Sequence, residues 1–265
     1  MKITVVTPSF NQAHYLERTL ASVHAQTGSF ELEHLVIDGG SSDGSVALLE
    51  AWKDRLWYVS ERDRGQSHAL NKGIARATGE IIGWLNSDDT LAPGALDAVA
   101  RFFSDRPTAQ WAYGRCKIID ERDVEIRKWI TRYKRALGRR YSYQRLLLEN
   151  YISQPATFFR KALYTHVGGV DEGLTFDMDY DLWLRFGRVA DAAIIDADLA
   201  AFRFHNASKT GGQIEASLRA ANQTARKYAR EIGKPWLGEV NYWLYYKRTA
   251  LIYKAIEWSA ARRRG

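Results

Sequence analysis

The segment GWLNSDDTL, residues 83–91, places two adjacent carboxylates, Asp88 and Asp89, directly after an apolar run. Neighbouring carboxylates repel unless something offsets their charge, and hard oxygens of this kind suit Mg2+ or Mn2+, which bind through one or two carboxylates plus substrate phosphates. A second acidic cluster lies in FDMDYDLWLR, where Asp177, Asp179 and Asp181 are candidates for taking a proton from a substrate hydroxyl. A third segment, FRFHNASKT at 202–210, holds His205 with Arg203 and Lys209, two cations that suit phosphate oxygens. Each cluster also has a plainer reading. Thr90 is able to cap a helix with Pro93 in its first turn, three aspartates favour a helix N-terminus, and a lone histidine is commonly a structural hydrogen-bonder.

The elements that must position these groups alternate along the chain. KITVVT (2–7), EHLVID (33–38), LWYVSE (56–61) and EIIGWL (80–85) read as strands. Helical stretches follow them: one containing Tyr15, Leu16, Leu20 and Val23, one over 46–52 and one over 67–77. Apolar strands alternating with helices predict an α/β fold, a parallel sheet covered by helices on both faces, with ligands beyond the carboxyl ends of the strands. The polar clusters 7–11, 38–45, 63–66 and 86–89 all fall at that edge. Together they describe a pocket in which Phe10 offers a flat face to a nucleobase, Thr7 and Asp38 offer polar groups to its edge, and Asp88 and Asp89 offer oxygens to a metal.

Composition narrows the class. With 265 residues, 46% hydrophobic and 26% charged, the chain is long enough for one large domain or one domain with an appendage. The single cysteine, Cys116, excludes an internal disulfide framework and thiolate metal clusters. MKITVVTPSF lacks the apolar core of a signal peptide, and no stretch approaches the ~18 apolar residues of a membrane span, so a cytoplasmic location is expected. The net charge of +7 is unevenly spread: residues 127–145 hold eight basic and no acidic side chains, and residues 226–265 hold ten basic and three acidic. An anionic partner against these two segments is one reading and a solvated basic face is the other.

TPSFN, IDGGSSDGS, DRGQSHALNKGIARATGEIIGWLNSDD and DYDLWLR resemble the motifs of family 2 glycosyltransferases, inverting nucleotide-sugar-dependent enzymes of GT-A fold; the resemblance runs from Lys2 to about Thr210. It implies a mostly parallel, Rossmann-like sheet flanked by helices. It assigns nucleotide-sugar binding to Thr7, Pro8, Phe10, Asp38, Asp63, Arg64, Asn71 and Asp88, with Asp88 on the donor ribose. It assigns Mn2+ or Mg2+ to Asp89 and to His205, whose polar loop closes on the diphosphate. The general base falls on Asp179, which leaves Asp181 to cap the following helix or orient the site. Gln154, in SQPATFF, and Trp183 resemble residues that shape the acceptor pocket. Two positions depart from the common family form: Asn86 stands where Asp is frequent, and Gly39 stands where a second acidic residue often meets the base.

The organisation implied is a GT-A domain over 1–210, with a nucleotide-sugar half (1–100) and an acceptor half (101–210), and a helical, aromatic and basic extension over 211–265. In that extension Leu237, Val240, Leu244, Leu251 and Trp258 recur at helical spacing among Trp236, Tyr242, Trp243, Tyr245, Tyr246 and Tyr253. This fits either a helix docked on the body or attachment to an anionic membrane surface. The expected reaction moves a sugar from a nucleoside-diphosphate donor, a UDP-sugar first among them, to a glycan or lipid-linked glycan, such as an intermediate of a cell-surface polysaccharide. The alternatives are transfer to polyprenyl phosphate itself, a nucleotide-sugar binder without turnover, and a nucleic-acid-binding module using 127–145. The last leaves both acidic clusters without a role, so no nucleic-acid partner is expected.

Overall fold

The computed structural model describes residues 1–205 and 213–251. One eight-stranded sheet carries the order β3-β2-β1-β4-β7-β6-β8-β5. Its first half is the strand and helix alternation read above: β1 (Lys2–Ser9), α1 (Ala13–His24), β2 (Glu31–Asp38), α2 (Ser45–Ala51), β3 (Trp57–Ser60), α3 (Gln66–Arg76) and β4 (Ile81–Trp84). β1 pairs in parallel with β2 and β4, and β2 with β3, so the loops after all four strands open on one edge. Alternate residues of β1 face opposite layers. Val5 joins a cluster with Leu96, Val99 and Phe103 of α4 (Ala95–Asp105), while Val6 joins the larger cluster with Leu70 and Ile74 of α3. Gly73 lets α3 lie close on the sheet, because a Cβ there would come within 2.4 Å of Val6 Cγ1.

The second half brings in antiparallel pairs. β5 (Thr90–Leu91), β6 (Trp111–Ile119), β7 (Thr157–Arg160) and β8 (Ala193–Arg203) complete the sheet; β7 is antiparallel to β4 and β6, β5 is antiparallel to β8, and β6 runs parallel to β8. Thr90 therefore does not cap a helix. It pairs with Ala201, and the helix starts only at Ala95, after Gly94 turns the chain at φ 74°. Around β6 to β8 lie α5 (Lys128–Leu137), α6 (Tyr143–Leu148), a 3-10 turn (Gln154–Ala156), α7 (Lys161–His166) and α8 (Met178–Val189).

The C-terminal stretch is packed into the body. α9 (Ile214–Glu231) buries Ala221, Ala225, Tyr228 and Ala229, and α10 (Trp236–Asn241) buries Leu237, all in the same cluster as Trp183 and Phe186. Asn241 is fully buried; its amide donates to the carbonyls of Leu147 (3.1 Å) and Leu148 (2.9 Å) and accepts from Asn222 (2.7 Å). A π-helical segment, Tyr242–Lys247, continues α10. The stripe read from the sequence is only partly the docked face, since Leu237 is buried but Leu244 and Leu251 are exposed; Trp258 lies outside the described residues. No helix among the described residues is long and apolar enough to cross a membrane.

Candidate active site

The loops after β1 and β2 are locked together at the sheet edge. The Asp38 carboxylate is fully buried; it accepts from the backbone amides of Gly40 (3.0 Å) and Ser41 (2.8 Å) and from the hydroxyls of Ser41 (2.5 Å) and Ser60 (2.7 Å). Asn11, in the left-handed region at φ 51°, donates its backbone N–H to Ser41 Oγ (2.8 Å), and its side-chain Oδ1 accepts from the backbone N–H of Ser42 (2.9 Å). This brace leaves Phe10 standing out, 60% exposed. Thr7 and Pro8 lie buried in β1, and the Thr7 hydroxyl is used in a hydrogen bond with His34 Nε2 (3.0 Å) rather than facing the loop. At Gly39 a Cβ would come within 2.9 Å of Asp63 Oδ2, so an acidic group does reach this corner, but from the loop after β3. Arg64 pairs with Glu172 (2.7 Å), and Asn71 ties α3 to the same later loop through Val170 O (2.9 Å).

Beyond β4, Asn86 uses its whole amide. It accepts from Trp84 Nε1 (2.8 Å) and Gln66 (2.7 Å) and donates to Gln154 Oε1 (3.0 Å) and Asp89 Oδ2 (3.4 Å). An aspartate there has no hydrogen to donate to the last two, which accounts for the amide at this position. Gln154 in turn donates to the Trp84 carbonyl and is almost fully buried, so its amide braces the β4 end.

The two carboxylates of the SDD segment point different ways. Asp89 is fully buried; its Oδ1 accepts the backbone amide of Arg203 on β8 (2.8 Å), and burial followed by the charge of Asp88 raises its carboxyl well above the ordinary range. Asp88 is the one that meets His205, with Oδ2 3.0 Å from Nε2 and the Asp88 side chain 16% exposed. The sequence reading puts the metal on Asp89 and His205 and the donor ribose on Asp88; in the structure it is Asp88 that lies against His205, while Asp89 is engaged by the backbone of β8. Arg203 is a buried clamp, not a phosphate ligand: its Nε donates to Asp88 O (2.7 Å), Nη1 to Asp120 O (2.8 Å), and Nη2 pairs with Asp123 (2.6 Å). Thr19 of α1 donates to the carbonyls of Ser87 (2.9 Å) and Asp89 (2.8 Å), and the Tyr15 ring lies 4.6 Å from that of His205. Lys209 lies outside the described residues.

A carboxylate and an imidazole converging at the strand end fit a hard divalent ion. Groups of three or more candidate ligands do not occur among the described residues, which leaves most of such an ion's shell to substrate phosphates.

The acidic cluster of α8 also separates into distinct environments. Asp181 is buried, pairing with Arg185 one turn on (2.7 Å) and accepting from Tyr228 of α9 (2.8 Å), so it fastens two helices and does not cap one. Asp177, at the N-cap position without a side-chain cap bond, is also buried, and burial raises its carboxyl. Asp179 is partly exposed and makes no ion pair among the described residues; burial first, then the charge of Asp177, pushes it up to about 6, against the opposing pull of the Tyr180 backbone amide and of Lys134. A carboxyl in that range is suited to take a proton near neutral pH. Trp183, expected at the acceptor pocket, is instead core: it is 0% exposed and stacks on Trp111 at 5.7 Å, beside Phe186. Tyr15, read from the sequence only as part of a helix, is brought against His205, and Asn86, noted there only as a departure from the family form, links Asp89 to Gln154.

Comparison with known proteins follows the same lines. The Glycosyl transferase family 2 profile matches residues 4–167. An uncharacterized glycosyltransferase of Mycobacterium tuberculosis is 29% identical over 259 residues, covering 93% of this chain and 94% of the relative. One of Rickettsia typhi is 26% identical over 215 residues, covering 78% of this chain but 65% of its own length. Among solved structures, S. aureus TarS 1-349 in complex with UDP-GlcNAc superposes with TM-score 0.66 at 16% identity, over 86% of this chain and 71% of that one. The mannosyltransferase PcManGT from Pyrobaculum calidifontis, in complex with GDP-Man and Mn2+, gives TM-score 0.66 at 22% identity, over 99% and 75%. The fold is therefore that of GT-A glycosyltransferases, and the chain belongs to glycosyl transferase family 2.

Proposed function

We propose that the protein is an inverting glycosyltransferase that moves a sugar from a nucleoside-diphosphate donor to a hydroxyl of a glycan acceptor. The observation that carries this reading is the placement of Asp88 against His205 at 3.0 Å beyond β4, with Asp179 a separate carboxylate raised to about 6. Phe10 is the face on which a nucleobase stacks, and Asp63, beside Gly39, is the acidic group at the base corner. Asp38 orders the loop beneath, while Arg64 and Asn71 brace α3 against the 170–172 loop. Asp88 and His205 would hold Mn2+ or Mg2+, which when bound neutralises the charge of the leaving diphosphate. Asp179 takes the acceptor hydroxyl's proton as that oxygen attacks the anomeric carbon from the side opposite the diphosphate, and one displacement inverts the centre.

The acceptor in this reading sits at a membrane surface, as a lipid-linked glycan does. Among the described residues, six of the ten exposed large hydrophobic side chains belong to the two basic segments: Trp129 and Tyr133 on α5, and Trp236, Trp243, Leu244 and Leu251 at the C-terminal end. Arg248 joins them into one face by donating to the Tyr133 hydroxyl (3.2 Å) and pairing with Glu149 (3.1 Å). Aromatic rings with interleaved Lys and Arg suit an anionic headgroup region. Thermal-shift screening of UDP-, GDP- and dTDP-sugars, with and without Mn2+, tests the donor half of the proposal. A cognate donor raises the midpoint and does so more with the metal; no shift from any of them overturns it.

A further inference from the structure

The turn after β6 reads IIDERDVEI, residues 118–126, and Asp120 is the aspartate that makes it. Asp120 Oδ1 accepts the backbone amides of Arg122 (2.9 Å) and Val124 (2.9 Å), and the amide of Ile126 closes the turn on Ile118 O (2.8 Å). Asp123 contributes only its backbone, in the left-handed region at φ 66°, which glycine or asparagine adopts as readily. The turn therefore has no need of a carboxylate at 123. Its oxygens serve two arginines from opposite halves of the chain: Oδ2 accepts from Nη1 of Arg18 on α1 (2.9 Å), and Oδ1 pairs with Nη2 of Arg203 on β8 (2.6 Å). Arg18 Nη1 also donates to Glu121 O (2.8 Å), which ties the turn to α1 a second time.

The two arginines are not equivalent. The Arg18 side chain is 32% exposed, whereas that of Arg203 is 0% exposed. A guanidinium withdrawn from water is costly unless it is paired, and among the described residues Asp123 is the only carboxylate within ion-pair distance of the Arg203 guanidinium. The remainder of that group holds the SDD segment: Nε donates to Asp88 O (2.7 Å), while the Arg203 backbone amide donates to Asp89 Oδ1 (2.8 Å). His205 follows two residues later, its ring 4.6 Å from that of Tyr15, and the guanidinium carbons of Arg203 and Arg18 lie 5.2 Å and 5.4 Å from the same Tyr15 ring. Both members of the Asp88–His205 pair thus lean on one cluster, and Asp123 supplies the negative charge that holds its two arginines together.

We infer that Asp123 is a positioning residue for the metal-binding pair: by bridging Arg203 to Arg18 it fixes the buried guanidinium that carries the Asp88 main chain, and so sets the spacing of Asp88 and His205 for a divalent ion. The inference rests on the reading that Asp88 and His205 hold the ion. Asp123 makes no hydrogen bond or ion pair with either of them among the described residues, so its effect passes through Arg203. With so few protein ligands, the ion's affinity depends closely on their placement, and loss of a group that orients metal ligands from behind typically costs 10–100-fold in metal affinity. This role also explains why the turn carries a carboxylate at a left-handed position that glycine or asparagine fills equally well.

The test titrates Mn2+ into the full chain with saturating UDP or GDP, counts free Mn2+ by electron paramagnetic resonance, and records the melting temperature of each variant alongside. Asp123→Asn and Asp123→Gly both keep the turn and remove the charge; each weakens Mn2+ binding about 10–100-fold and leaves nucleotide binding in EDTA as in the parent. A lowered melting temperature with unchanged Mn2+ affinity, or an equal loss of nucleotide binding with and without the metal, overturns the inference and leaves Asp123 a purely structural residue. Should neither variant fold, Arg18→Gln, which frees the outer oxygen of Asp123, carries the test: a several-fold loss of Mn2+ affinity is expected, and an unchanged affinity overturns the role. Asp88→Asn separates the two readings. Parental Mn2+ binding in that variant sinks the metal assignment itself, whereas lost binding in Asp88→Asn with parental binding in Asp123→Asn sinks only the role of Asp123.

Discussion

If Asp179 is a carboxyl kept near 6 by burial, its charge costs the protein stability, and removing the charge should stabilise the fold while stopping catalysis. Asp179→Asn is the perturbation, because it keeps the shape and one carbonyl oxygen. The folded-state value of about 6 against the ordinary 3.8 means that the native protein binds this proton more tightly than the unfolded chain. Stability therefore falls as pH rises from 3.8 to 6, and the full cost is present above 6. At 1.36 kcal/mol per unit the ceiling is about 3 kcal/mol, and about 1–3 kcal/mol is expected because water reaches part of the side chain. A domain of this size converts each kcal/mol into roughly 2–4 °C of melting temperature. Thermal unfolding of parent and variant at pH 8 and pH 5 should show the variant more stable at both, by the larger margin at pH 8. An advantage absent at pH 8, or unchanged between the two pH values, would refute the argument that burial tunes this carboxyl.

Asp88→Asn should abolish the Mn2+ dependence of UDP or GDP binding in calorimetry with the fold intact, whereas Asp89→Ala should keep that dependence and lose about 1–3 kcal/mol of stability, because the Arg203 amide it serves is buried. The reverse pattern would return the metal to Asp89. The intact protein should sediment with anionic vesicles at low salt and be released at high salt, and replacing Trp243 and Leu244 together by Ser should weaken this without altering donor binding. Sedimentation with neutral vesicles equally well, or none at all, would remove the membrane surface from the account.

Much of the nucleotide half was legible because its physics is local. Runs such as KITVVT and EIIGWL, punctuated by Gly and Ser, can hardly be other than buried strands, and their polar loops must share one sheet edge. What the sequence hid was set by distant partners. Asp88 and Asp89 are neighbours of the same type, and which one faces outward is decided by the Arg203 amide, 114 residues further on. Trp183 reads as well for a pocket as for a core until Trp111 and Phe186 close around it. The anchor of the C-terminal helix is equally non-local: it is the Asn241 amide on the carbonyls of Leu147 and Leu148, and not the leucine stripe.

The account stands most directly on one in-line displacement with Asp179 as base, and the anomer first formed from the cognate donor tests it. With water as acceptor, early-time proton NMR should show free sugar of configuration opposite to the donor, before the two forms interconvert. The rate should fall about 10²–10⁴-fold in Asp179→Asn while donor affinity stays the same. A first-formed sugar that retains the donor's configuration, or an Asp179→Asn protein that hydrolyses the donor at the parent rate, would contradict it.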